Sequence, residues 1–178
     1  MALIETVDPA SADGLLAEIY ADISGMIGFV PNAVRLDSIN PDHLARHWAE
    51  IKEAMQHPSL SQPLFATIRL LASEMERCEY CVGLNAGMLM QMCKLDVDAV
   101  NAIKADPDAA PLDGRESALL RFVMKALKDS NSTDAADIQV LRDAGLSDRE
   151  IFDALAHGAQ QIAADIILNA FKVDPDLH

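Results

Sequence analysis

Helix-start signals punctuate this chain from end to end, and apolar residues follow each of them at intervals of three and four. Asn40 stands before Pro41, and proline at a first helical position gives up no N–H that the helix needs. Leu44, Trp48, Ile51 and Met55 follow at helical spacing. Ser61 heads Leu64, Phe65, Ile68, Leu71 and Ala72, and Asp96 opens a short segment that ends before Asp106-Pro107. Asp113-Gly-Arg-Glu116 reads as a capping box ahead of Leu119, Leu120, Val123 and Leu127. Ser147-Asp-Arg-Glu150 is a second box and opens the longest helix, with Ile151, Phe152, Leu155, Ile162, Ile166 and Ile167. Further helices are predicted from about Ser11 to Met26, from near Cys78 to about Cys93, and from Thr133 to a left-handed close at Gly145. Gly28-Phe29-Val30-Pro31-Asn32 reads as a break. No segment alternates apolar and polar residues as a half-buried strand does. The expectation is an all-α bundle of about eight helices in one domain over residues 1–178. Residues 1–40 form an N-terminal arm and helix, and residues 41–178 the helical core.

Composition supports helices over strands. The chain is 51% hydrophobic but only 4% aromatic, so its core must be built from Ala, Leu, Ile, Val and Met. The formal charge of -14 opposes binding to a phosphate backbone or an anionic membrane surface, and no basic stripe offsets it. The opening Met-Ala-Leu-Ile-Glu-Thr-Val-Asp-Pro lacks the basic and apolar regions of a signal peptide, and no stretch is long enough to span a bilayer. The expected compartment is the cytoplasm, where a closely spaced cysteine pair points to catalysis or metal binding rather than to a structural disulfide.

Cys78-Glu-Tyr-Cys81 carries the chemistry. On a helix a three-residue step turns about 300° and rises about 4.5 Å, so both thiols share a face. Free N–H groups and the helix dipole at a helix start stabilise a thiolate. Arg77 adds to that effect, while Glu74, Glu76 and Glu79 oppose it. Zinc would need a second pair of ligands. Cys93, about 18 Å from Cys81 along a continuous helix, does not complete one and reads as a core residue beside Met90 and Met92. No metal or cofactor is called for, since there is no glycine-rich phosphate loop and no Ser-His-Asp order.

Three stretches resemble the AhpD-like superfamily of alkylhydroperoxidases and carboxymuconolactone decarboxylases, most closely its peroxidase-related branch. They are Gly28-Phe-Val-Pro-Asn32 with Pro41 and Leu44, then Cys78-Glu-Tyr-Cys81 with Ala86-Gly87, then Gly145-Leu-Ser-Asp-Arg-Glu-Ile151. The resemblance implies a homo-oligomeric helical fold that reduces hydroperoxides, with Cys81 attacking peroxide and Cys78 resolving. A thiol or dithiol reductant would regenerate the pair. It also exposes two departures. The family's histidine four residues after the second cysteine is Asn85 here, and its glutamate some twelve residues before the first aligns with Ala66. Asn85 can donate a hydrogen bond to a thiolate but cannot take a proton at neutral pH.

Other residues are candidates for support. Glu74 lies four residues before Cys78 and could act as a carboxylate near the thiols, although its plainer reading is a solvated acid. His157 could reach the pair across the bundle. Yet Asp153, His157, Gln161, Asp165 and Asn169 recur every four residues, which reads as an ordinary polar face. Tyr80 could pack over the thiols or line a channel. His43 and His47, four apart, lack further ligands and read as solvated. The leading expectation is a cysteine-pair peroxidase. The alternatives are a redox-sensing or structural oligomer weakened by Ala66 and Asn85, and a cofactor-free decarboxylase-like enzyme on the same fold.

Overall fold

The computed structural model describes residues 2–176. Among them, nine α-helices and three single-turn 3-10 segments account for the regular structure, with no strand. None of these helices is long and apolar enough to cross a membrane. Two compact units are distinguished, one of residues up to Gln56 together with those from Ile167, the other His57–Ile166.

The first unit contains α1 (Gly14–Ile27), α2 (Asn32–Asp37) and α3 (Pro41–Met55). Leu16, Ile19, Tyr20 and Ile23 of α1 bury against Val34, Leu44 and Trp48. Burying an indole requires a partner for its N–H. Trp48 Nε1 donates to Asp22 at 2.7 Å, and the Lys52 ammonium donates to the same oxygen. Helix α2 lies just past the expected break and is the one helix that the sequence reading does not contain. Its first N–H, that of Asn32, donates to the Asp176 carboxylate at 2.8 Å, a partner distant in sequence that no local pattern reveals.

The second unit holds α4 (Gln62–Glu76), α5 (Glu79–Cys93), α6 (Val97–Ala105), α7 (Gly114–Lys128), α8 (Ala135–Asp143) and α9 (Asp148–Phe171) as far as Ile166. Helix α4 is its centre, with an almost unbroken buried run from Leu64 to Ser73. A helix apolar on all sides belongs inside a bundle. Helix α9 comes in close at Gly158, where a Cβ would lie 2.9 Å from Leu127 Cδ1 and 3.1 Å from Ile68 Cγ2.

Most helix starts follow the sequence. Asn40, Ser61, Asp96 and Asp113 each accept a backbone N–H three residues on. Helix α8 is capped by Asp134 rather than Thr133, whose hydroxyl donates instead to the Ser130 carbonyl at 3.0 Å. Glu116 sits at the box position of α7, yet its carboxylate accepts the backbone N–H and hydroxyl of Ser61, both at 2.7 Å. A charged acceptor thereby joins the starts of α4 and α7.

The box at α9 is complete. Ser147 Oγ accepts the Glu150 N–H, and Glu150 Oε2 accepts the Ser147 N–H at 2.8 Å. Burial alone would raise the Glu150 carboxyl, but hydrogen bonds from Ser59, the Ser147 N–H and Arg115 prevail and hold it at about 2. A depressed carboxyl contributes stability above its unfolded value, and loses that contribution as pH falls through its folded value. Glu150→Gln should therefore cost on the order of 2–3 kcal/mol at pH 7, with the deficit closing between about pH 4.5 and pH 2. Urea denaturation of both proteins across that range measures it. A deficit that stays constant with pH would contradict the assignment.

Candidate active site

The cysteine pair is placed by the turn from α4 to α5. Arg77 adopts a left-handed conformation, φ 55°, and its N–H reaches the Glu74 carbonyl while that of Cys78 reaches the Ser73 carbonyl at 2.9 Å. These two bonds form a Schellman close, here without the usual glycine. They set Cys78 at the N-cap of α5 and Cys81 one turn inside, with both thiols free and buried. The Cys81 S–H donates to Cys78, which pulls the Cys78 thiol below its ordinary value. The same bond and burial push the Cys81 thiol far up. Of the two, Cys78 is thus the thiol that gives up its proton more readily.

Asp165 supplies a carboxylate that the sequence reading treats as surface. It is fully buried, and one of its oxygens and the two sulfurs lie within 4.8 Å of one another. Oδ1 accepts from the Gln161 amide at 2.8 Å and from Ser73 Oγ at 3.1 Å. Oδ2 is buried with no hydrogen-bond partner. Desolvation lifts the Asp165 carboxyl above the usual carboxylate range, against the lowering effect of its donors. Ser73 serves two parts of the site, since its carbonyl also closes the turn at Cys78.

The four-residue row on α9 therefore faces inward in this unit rather than toward solvent. The sequence carries a signal of this. Ala154 and Gly158 lie one position beyond Asp153 and His157. Small residues at that spacing permit a close approach.

His157 packs edge-on to Phe65, with centroids 4.8 Å apart, and its Nε2 accepts from Arg69 Nη1 at 3.1 Å. Burial and the Arg69 charge lower His157 to about 3. It is neutral at physiological pH and occupied by Arg69. Asn85 is buried and does not donate to a sulfur. Its Nδ2 donates to the Cys81 carbonyl at 2.9 Å, and its Oδ1 accepts from Arg69 Nε at 2.7 Å. The reason is geometric: four residues on in a helix, a short amide meets the backbone carbonyl. Arg69, absent from the sequence-level candidates, thus joins Asn85 and His157.

The other candidates lie elsewhere. Glu74 is exposed and pairs with Lys104, because the residues just before the turn point outward. Tyr80 is buried. Cys93 is half-buried against the core of the unit, and Ala66 is a fully buried core residue. Among the described residues, two groups of side chains are close enough to share a metal ion, Cys78 with Cys81 and Asp165, and in the first unit Asp37 with His43 and His47. The first trio exists only because α9 brings a third donor to the pair.

No protein-family model matches the chain, and no curated protein matches it. Solved structures do. An uncharacterized peroxidase-related protein from Silicibacter sp. TM1040 has 24% identity and a TM-score of 0.80, over 96% of this chain and 91% of that one. An uncharacterized peroxidase-related protein with an alkylhydroperoxidase AhpD core, from Ralstonia eutropha JMP134, has 21% identity and a TM-score of 0.84, over 98% and 92%. A protein of unknown function from Agrobacterium tumefaciens has 19% identity and a TM-score of 0.63, over 80% and 97%. The chain has the all-α fold of the AhpD-like, peroxidase-related proteins.

Proposed function

We propose that this protein is a cytoplasmic cysteine-pair antioxidant oxidoreductase that reduces hydroperoxides through a Cys78–Cys81 disulfide. One observation carries the reading: two buried free thiols share a site with a buried carboxylate that has an open oxygen. A carboxylate with a raised pKa is a better base than a solvated one, and base assistance is worth about 10²–10⁴-fold. Asp165 thus takes the place left by Ala66 and Asn85.

The roles of the thiols follow the resemblance. Cys81 gives its proton to Asp165 Oδ2, and its thiolate attacks the distal oxygen of the hydroperoxide. The O–O bond breaks, and the alkoxide leaves as the alcohol with the proton held by Asp165. Cys81 is now a sulfenic acid. The Cys78 thiolate attacks its sulfur, hydroxide departs and is protonated to water, and the disulfide forms. An external thiol or dithiol then reduces the disulfide. Since Cys81 holds its proton more tightly than Cys78, the transfer to Asp165 is the step this order requires.

A second reading, a redox-sensing oligomer with the pair as a reversible switch, is favoured by Ala66 lying in the core and by Asn85 being bound to Arg69. Assembly into a homo-oligomer belongs to both readings. Exposed Phe152 and Ile166 are apolar surface of the kind that subunit contacts cover.

Reduced protein given one equivalent of organic hydroperoxide should rapidly lose two trappable thiols, mapped by mass to Cys78 and Cys81, with Cys93 retained. Cys81→Ser should abolish turnover. Slow but complete disulfide formation without turnover would favour the switch, and three thiols that stay trappable would overturn both readings. Asp165→Asn should lower the first thiol pKa, because a negative neighbour is removed, yet slow the reaction with hydroperoxide by about 10²-fold or more. A rate unchanged by this substitution would remove Asp165 from the proton transfer. Sedimentation at micromolar concentration should show an oligomer, and a monomer would refute that part of the proposal.

A further inference from the structure

Arg69 is a cation that the mechanism above does not use. The protein has 28 acidic residues against 14 Lys and Arg, so carboxylates are plentiful. Nevertheless, among the described residues Arg69 makes no ion pair, and its hydrogen bonds go to neutral groups. Nε donates to Asn85 Oδ1 at 2.7 Å, Nη1 to His157 Nε2 at 3.1 Å, and Nη2 makes a weak bond to Met88 Sδ at 3.6 Å. Burial lowers Arg69 only to about 10, so it stays charged at neutral pH. His157 offsets none of this charge, since it is a neutral acceptor.

A guanidinium carries five N–H donors. Its three partners leave one N–H on each terminal nitrogen. Two donors on adjacent terminal nitrogens match the two oxygens of a carboxylate. The residue keeps part of its surface in water and its Nη2 lies beside exposed Met88, so a small ligand would approach from that side. Asn85 ties it to the backbone of Cys81, bonded on one side to Arg69 and on the other to the Cys81 carbonyl. A molecule paired with the terminal nitrogens of Arg69 is therefore one guanidinium and one amide group from the Cys81 carbonyl.

We propose that Arg69, oriented by Asn85 and His157, is a recognition site for a carboxylate on the small molecule that reacts at Cys81. The identity of that molecule, a hydroperoxide substrate or a thiol reductant, rests on the function proposed above, while the anion site itself does not.

The test follows the Asn85 side-chain NH2 resonances in NMR titrations with hexanoate and with its neutral counterpart hexanamide. Hexanoate should produce a saturable shift that hexanamide does not, Arg69→Gln should weaken it at least ten-fold, and Arg69→Lys should restore part of it. Equal responses to the two probes in the unaltered protein would overturn the proposal, as would hexanoate affinity unchanged in Arg69→Gln. Should Arg69→Gln fail to fold, the comparison of the two probes on the unaltered protein decides alone. No thiol chemistry enters this readout, so a protein inert to hydroperoxide that still selects hexanoate would sink the peroxidase reading and keep the anion site.

Rate measurements then assign the source. A carboxylate-bearing hydroperoxide favoured over tert-butyl hydroperoxide, with the preference lost in Arg69→Gln, places the carboxylate on the substrate. The same pattern for 3-mercaptopropionate against a neutral monothiol in reduction of the disulfide places it on the reductant.

Discussion

Asp165 is a carboxylate buried where, among the described residues, it has no cationic partner, and the candidate site is arranged around it. Removing a carboxylate from water is costly unless donors replace the lost solvent. Gln161 and Ser73 supply two donors to one oxygen, and the other oxygen is left bare beside two thiols. Ser73 can serve because its backbone is fixed by the turn that also sets Cys78. The turn, the carboxylate and the cysteine pair are consequently one construction, and moving any of them disturbs the others.

The two charged groups near the pair have opposite logic. Asp165 is uncompensated in the interior, so its basicity rises and it becomes able to take a proton. Arg69 is uncompensated at the edge, keeps its charge, and has donors to spare. Asn85 and His157, which carry no charge, hold Arg69 without neutralising it. Asn85, where the resemblance leads one to expect a histidine, reads differently in this setting. The residue is not an empty position but the link between Arg69 and the Cys81 backbone.

How much of this could be read in advance depends on the range of each interaction. The caps at Asn40, Ser61, Asp96, Asp113 and Ser147 were legible because a cap is a hydrogen bond across three residues, with donor and acceptor in one short string. At α8 two good cap residues adjoin, Thr133 and Asp134, and a local bond from Thr133 to Ser130 settles the choice on Asp134. Helix α2 was not legible, since its first N–H is satisfied by Asp176 at the far end of the chain. Glu116 shows the intermediate case: the right residue in the right place for a box, directed instead to a different helix start.

The sequence by itself determined that the chain is helical, where most helices begin, and that Cys78 and Cys81 share one face at the start of α5. These are consequences of periodicity and of contacts within a turn. It could not determine what faces the thiols. A four-residue row such as Asp153, His157, Gln161 and Asp165 shows that residues lie on one side of a helix, but not whether that side meets water or protein. Only tertiary packing, with α9 drawn close at Gly158, turned that row inward. Burial then raised the carboxyl of Asp165 and, with the Arg69 charge, lowered the imidazole of His157.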